Sequence, residues 1–144
     1  MNLKLGHRAR TVPYLGQAIE TGELIFKYCS KGDLDSILEK KLEYRKVSTP
    51  ENLVALAVPL LKDIAKSLSV FHSNNIAHLD IKPDNVMIGC YGEKDGRAYL
   101  GDLGFSRKIS QEGRQFIGTR LYMSPEMSDI SNERVRYDKC DCLL

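Results

Sequence analysis

Three stretches of this sequence carry side chains that could do chemistry. The octet His78-Leu79-Asp80-Ile81-Lys82-Pro83-Asp84-Asn85 gathers carboxylates, an ammonium and a carboxamide. Asp102-Leu103-Gly104 adds another carboxylate just ahead of a glycine. Gly118-Thr119-Arg120-Leu121-Tyr122-Met123-Ser124-Pro125-Glu126 adds a threonine hydroxyl. Any one of these residues, taken alone, reads equally well as part of a solvated loop. As an ordered set they supply a carboxylate to face a hydroxyl, a cation for developing charge and hard oxygen donors for magnesium. Those are the groups that phosphoryl transfer asks for.

Such loops need elements to position them. Thr11 to Leu15 and Glu23 to Cys29 are rich in β-branched and aromatic residues, and the polar turn from Gly16 to Gly22 separates them, so they predict two neighbouring antiparallel strands. Asp33 can cap a short helix with Leu34, Ile37, Leu38 and Leu42 on one stripe. Ser48-Thr49-Pro50-Glu51 offers a capping box with proline in the first turn. It opens a long helix whose face carries Leu53, Leu56, Ala57, Leu60, Leu61, Ile64, Ala65, Leu68 and Phe71. Pro59 interrupts that pattern, so the helix either bends there or starts nearer Val58. Beyond Ile76 the pattern shortens, with Val86 to Ile88 and Ala98 to Gly101 as small strands around a surface hairpin, Gly89 to Arg97.

Composition sets the frame. The chain has 144 residues, 42% hydrophobic and 28% charged, with a formal net charge of +2. This is the balance of a globular protein rather than a disordered or membrane one, and bulk charge gives no reason to expect nucleic-acid binding. The first ten residues hold no apolar run of signal-peptide or membrane-span length, so neither a membrane nor a secretory route is expected and the default location is intracellular, cytoplasmic or nuclear. Cys29, Cys90, Cys140 and Cys142 lack a zinc-type spacing and read as reduced thiols.

The three stretches, in this order, resemble the motifs of the eukaryotic-type protein kinase family, from Met1 to Leu144. The resemblance implies an α+β, protein kinase-like fold that is truncated. A remnant of the small-lobe sheet and the hinge would occupy 1–29, and the first part of the mainly helical large lobe, with its catalytic and activation loops, would occupy 30–144. The implied cofactors are ATP and Mg2+, and the implied substrate is a protein with a Ser or Thr acceptor. Asp80 would orient the acceptor hydroxyl and take its proton, Lys82 would neutralise the γ-phosphate, and Thr119 would bridge the two. Asn85 and Asp102 would hold magnesium. Phe26 stands at the gatekeeper position, and Lys27, Tyr28 and Cys29 form the hinge whose backbone would meet adenine. Met87 would lie under the base, and Asp33 could meet ribose or a basic substrate side chain. Lysine in D-x-K-P resembles the Ser/Thr kinases. Asp141 resembles the aspartate that receives catalytic-loop amides.

Several departures accompany this. Leu79 stands where many kinases carry a phosphate-binding Arg, so a phosphate on Ser106, Ser110 or Thr119 would lack its usual partner, leaving Arg107, Lys108 and Arg114 as other cations. Leu103 replaces Phe, Ser124 replaces Ala and Leu143 stands in place of Trp. The family's Glu at the position of Glu126 pairs with a buried Arg far downstream, and these 144 residues end before any such Arg, so Glu126 is expected to be either solvated or served by another chain or a longer native sequence. Leu3 to His7 resembles the end of the regulatory helix, which would put the Gly-rich loop, its lysine and the paired glutamate before Met1. The isolated 144 residues are therefore expected to lack activity. A non-catalytic, kinase-shaped interaction or regulatory module with a regulatory protein partner is the alternative. A small-molecule phosphotransferase is a third reading, opposed by the docking segment from Gly118 to Glu126.

Overall fold

The computed structural model describes residues 9–43, 49–92, 94–111, 117–129 and 135–141. Expectations for Leu3 to His7, Ser48, Arg114 and Leu143 fall outside them. Its elements are β1 (Tyr14–Gln17), β2 (Leu24–Phe26), α1 (Leu34–Glu43), α2 (Pro50–Ser73), β3 (Ile76–Ala77), β4 (Val86–Ile88), β5 (Ala98–Leu100), β6 (Arg107–Lys108), α3 (Pro125–Ser128) and α4 (Tyr137–Cys140). Single 3-10 turns occupy Pro83–Asn85 and Arg120–Tyr122.

Three antiparallel pairs form, β1 with β2, β3 with β6, and β4 with β5. The first pair begins later than the sequence suggests. Thr11 bridges Leu100, and Val12 N–H donates to the Leu100 carbonyl at 2.9 Å, so residues 10–12 belong beside β5. Pro13 has no N–H to donate, and the chain changes partner there: its carbonyl accepts from Lys27 N–H, and β1 opens at Tyr14 opposite Phe26.

Asp33 caps α1 as its sequence suggests, and α2 takes as its N-cap Thr49, one residue into the expected Ser48-Thr49-Pro50-Glu51 box, with Asn52 rather than Glu51 three residues on. The Asp33 carboxylate accepts from Ser36 N–H at 2.8 Å and from its hydroxyl at 2.9 Å, and Thr49 Oγ1 accepts from Asn52 N–H. Helix α2 starts at Pro50 and continues past Pro59, so the later start near Val58 is not taken. Its buried face is narrower than the apolar stripe implies. Leu60, Ile64, Leu68 and Phe71 go inside with Asp63 and Ser67, whereas Leu53, Leu61 and Ala65 stay exposed.

The main core joins that face of α2 to Val86, Ile88, Ala98 and Leu100 of β4 and β5, with Leu34 and Ile37 of α1 against it. A second apolar cluster gathers Ala77, Leu79, Met127, Val135 and Tyr137. A third consists of Cys29, Cys90 and Tyr99, where Cys29 and Cys90 form a disulfide. For these two cysteines this corrects the expectation of reduced thiols, and the hairpin is not wholly at the surface, because Cys90 is buried; Cys140 is in no disulfide among the described residues, and Cys142 lies outside them. Ser30 N–H and Lys31 N–H donate to the carbonyls of Gly89 and Ile88, which brings the two cysteine Cα atoms to 3.9 Å across 61 residues of sequence. Closing a loop of that length removes about 4 kcal/mol of unfolded-chain entropy in the chain-entropy account. Among the described residues no helix is long and apolar enough to cross a membrane.

Candidate active site

The octet forms the loop between β3 and β4. Asn75 (φ 60°) ends the turn after α2, and Leu79 (φ 68°) bends the chain again, a left-handed conformation that a leucine adopts only where its surroundings hold it. Asp141 does the holding. Its buried carboxylate accepts from Leu79 N–H at 2.7 Å, from His78 N–H at 2.6 Å and from His72 Nε2 at 2.9 Å. His78 is fully buried, with Nε2 at 2.8 Å from the Gly101 carbonyl and Nδ1 accepting from Asp80 N–H. That pairing sets the neutral tautomer with hydrogen on Nε2, and burial, the largest influence on this imidazole, lowers its pKa.

Asp80 is 2% exposed, and both its oxygens are engaged. Oδ1 accepts from Thr119 N–H at 2.8 Å and Thr119 Oγ1 at 2.7 Å, while Oδ2 accepts from Asn85 Nδ2 at 2.8 Å. Lys82 Nζ donates to Thr119 Oγ1 at 2.8 Å and lies 3.4 Å from Asp80 Oδ2. One directed chain therefore runs from ammonium to hydroxyl to carboxylate. Burial pushes the Asp80 pKa up, but the hydrogen bonds from Thr119 and Asn85 and the Lys82 charge outweigh it, and the group lies below its ordinary value. Asp80 is an anion held in one orientation.

Asn85 spends its amide hydrogens on the Asp80 carbonyl and carboxylate, leaving Oδ1 as the oxygen available to a cation. Gly101 N–H donates to the Asn85 carbonyl at 2.8 Å, which brings Asp102 beside it. Asp102 is exposed with φ 50°, and its Oδ1 accepts from Gly104 N–H, so the tight turn after it is built on the aspartate. Two hard oxygen donors, with no group of three or more His, Cys, Asp or Glu among the described residues, fit a magnesium ion that takes its other ligands from phosphates and water.

Both residues line a cleft of about 410 Å³ together with Val12, Phe26, Lys27, Tyr28, Cys29, Asp84, Met87 and Gly101. The expected adenine-side residues Phe26, Lys27, Tyr28, Cys29 and Met87 thus share one cavity with Asn85 and Asp102. Asp33 does not line it: both its oxygens serve Ser36 at the start of α1.

Leu79 is buried in the second apolar cluster, with Ile109, Ile117 and Met123 packed against it. Gly118 (φ 105°) passes so close that a Cβ there would collide with the Leu79 carbonyl. Ser110 Oγ accepts from Asn75 Nδ2 at 3.1 Å. Glu126 is half-buried and makes no ion pair among the described residues.

One network escaped the sequence reading. Asp63 accepts from Arg97 Nε at 2.8 Å, Arg97 Nη2 at 2.6 Å and Ala98 N–H at 3.2 Å, with Arg10 Nε at 3.3 Å. Arg10 Nη1 donates to the Tyr99 hydroxyl, and Ser67 Oγ to the Arg10 carbonyl. Burial, helped by Asp95, pushes the Tyr99 pKa up to about 12. The signal was present: Asp63 falls between Leu60 and Ile64 on an apolar face, and a carboxylate there demands a cation.

The chain matches the protein kinase domain family over residues 16–142. It is 32% identical over 123 residues to inhibitor of nuclear factor kappa-B kinase subunit alpha of Danio rerio, covering 80% of this chain and 15% of that protein. Against serine/threonine-protein kinase ATG1a of Arabidopsis thaliana it is 34% identical over 116 residues, 77% of this chain and 17% of the relative. Against serine/threonine-protein kinase ULK3 of Xenopus laevis the figures are 34% over 106 residues, 72% and 20%. The chain thus spans a fifth or less of each of these relatives. With its motifs, its α+β framework and this match over most of its length, the chain belongs to the protein kinase domain family.

Proposed function

We propose that this chain is part of the catalytic core of a protein serine/threonine kinase, which transfers the γ-phosphate of ATP to Ser or Thr hydroxyls of proteins. The observation that carries the reading is the hydrogen-bonded set Lys82, Thr119, Asp80 and Asn85, which reaches through Asn85 the cleft that Asp102 also lines. Asp80, anionic and fixed, orients the acceptor hydroxyl and receives its proton as the bond to phosphorus forms. Lys82 neutralises charge on the transferred group, and Thr119 holds ammonium and carboxylate at a constant separation. Magnesium on Asn85 and Asp102 would supply further charge neutralisation for the phosphates. Phe26 to Cys29 and Met87 enclose the base. The names of two relatives, serine/threonine-protein kinases, support the choice of acceptor.

We assign about 1–29 to the end of the small lobe and the hinge, and 30–144 to the first part of the large lobe. The working setting is intracellular, cytoplasmic or nuclear, with a protein substrate, a possible regulatory protein partner, and neither nucleic acid nor membrane. The test is transfer of γ-labelled phosphate by the intact protein to Ser, Thr and Tyr versions of one peptide library. Labelling of Ser or Thr peptides supports the reading, and labelling of Tyr alone, or of none with magnesium and ATP present, overturns it.

A further inference from the structure

The hinge, Lys27 to Cys29, and the turn that follows it to Gly32 run alongside the end of β4. Ser30 N–H and Oγ both reach the Gly89 carbonyl at 3.3 Å, and Lys31 N–H reaches the Ile88 carbonyl at 3.3 Å. These are long contacts for hydrogen bonds of this type. Ile88 N–H to Gly32, at 2.9 Å, is the short one. Lys27 Nζ sits 4.1 Å from the centre of the Tyr91 ring. Gly89 (φ 78°) permits this approach, since a Cβ there would press on Ser30 and Lys31. The Cys29–Cys90 disulfide closes the seam.

Its position matters more than its presence. Cys29 lines the cleft on the hinge side, and Cys90 follows by three residues Met87, which lines the floor. Both cysteines are buried with Tyr99, Val12 and Met87, so the bond spans hinge and floor through the packing beneath the base site. A disulfide in an intracellular protein is usually transient and redox-sensing rather than structural. Cys140 is half-buried and lies outside this disulfide.

We propose that Cys29 and Cys90 are a reversible oxidation site, whose disulfide fastens the hinge to the cleft floor and preorganises the cleft for adenine nucleotide. The nucleotide part rests on the function proposed above. Hydrogen peroxide serves as oxidant: the two thiols lose two electrons and two protons, the S–S bond forms, and peroxide leaves as two waters. In the reverse direction a dithiol attacks one sulfur, releases the other as a thiol through a mixed disulfide, and leaves oxidised as its own second thiol closes. Linkage requires the effect to be mutual. If oxidation tightens nucleotide binding by some factor, saturating nucleotide favours the disulfide over the dithiol by the same factor.

The test uses the intact protein, oxidised with peroxide or reduced with dithiothreitol. Alkylation in denaturant followed by peptide mass spectrometry should label Cys29 and Cys90 only in the reduced sample and Cys140 in both. Equal labelling of Cys29 and Cys90 in both samples overturns the site. Calorimetric titration with magnesium-ATP should show binding about five-fold weaker after reduction, as loss of preorganisation implies. Cys90→Ser should hold the weaker value in either condition. Equal affinity in the two wild-type samples overturns the coupling to the cleft. Should neither sample bind magnesium-ATP, the proposed kinase reading fails, and amide exchange at Ser30 and Lys31 judges the tether alone. Faster exchange after reduction supports it and unchanged exchange overturns it.

Discussion

Around Asp80 four side chains bond to one another, and the loop backbone is anchored from below by Asp141, whereas from Leu24 to Tyr28 the side chains are largely in solvent, Tyr28 84% exposed. The two regions border one cleft, yet they are held differently. The Asp80 side is over-determined by short, charge-assisted hydrogen bonds that tolerate left-handed backbone at Leu79 and Asp102. The other side is held by backbone bonds, short at Lys27 to Pro13 (2.8 Å) and Ile88 to Gly32 (2.9 Å) and long at Ser30 and Lys31 (3.3 Å), and by one covalent bond. Groups that transfer protons must be fixed to fractions of an ångström, while a flat base can be gripped by backbone and apolar contact.

Breaking the Asp80 side should have the largest effect. Asp80→Asn is expected to lower kcat of the intact protein about a thousand-fold or more while leaving the Kd for ATP within about two-fold. Single-turnover kinetics with nucleotide titration checks this, and parallel losses in both would place Asp80 in binding. The same region sets an acid limit. The Asp80 carboxyl, near 3.8 when unperturbed, is lowered in the fold, so the stability it contributes is full above about pH 4 and is lost as pH falls through the lowered folded value. Asp80→Asn should flatten that part of an acid-unfolding curve.

Next in size is Asp63→Ala, which strips the partner from Arg10 and Arg97 at the seam between α2 and β5 and should cost about 3 kcal/mol in urea unfolding. Asp63→Asn, which keeps an acceptor, should cost less. Equal losses would show that the charge, and not the acceptor or the packing, matters there.

Asp102→Ala should weaken nucleotide binding about ten-fold in the presence of magnesium and little in its absence, because the carboxylate acts through the ion. Titrations with and without chelator measure the difference, and equal weakening would reassign Asp102 to the turn it makes with Gly104.

The smallest effect is expected at the activation segment, where Ser110→Glu should alter kcat by less than about two-fold. Leu79 fills its position with an apolar side chain against Met127, Val135 and Tyr137, offering no cation to a phosphate. Strong activation by Ser110→Glu would mean that Arg107 or Lys108 has taken that part.

What the sequence determined by itself was local or motif-borne. Asp33 and Thr49 announced their helices because a cap acts within three residues, and the apolar spacing from Leu60 to Phe71 marked α2. Asp80, Lys82, Asn85 and Thr119 were singled out by residue type and order before their hydrogen bonds were seen. Tertiary structure alone decided the rest. It moved β1 to Tyr14, put Asp63 between two arginines and joined Cys29 to Cys90. Caps, turns and periodicity are satisfied by neighbours a few bonds away, so they leave a trace in the local pattern. A pairing across 61 residues depends on the path of everything between, which no local pattern records.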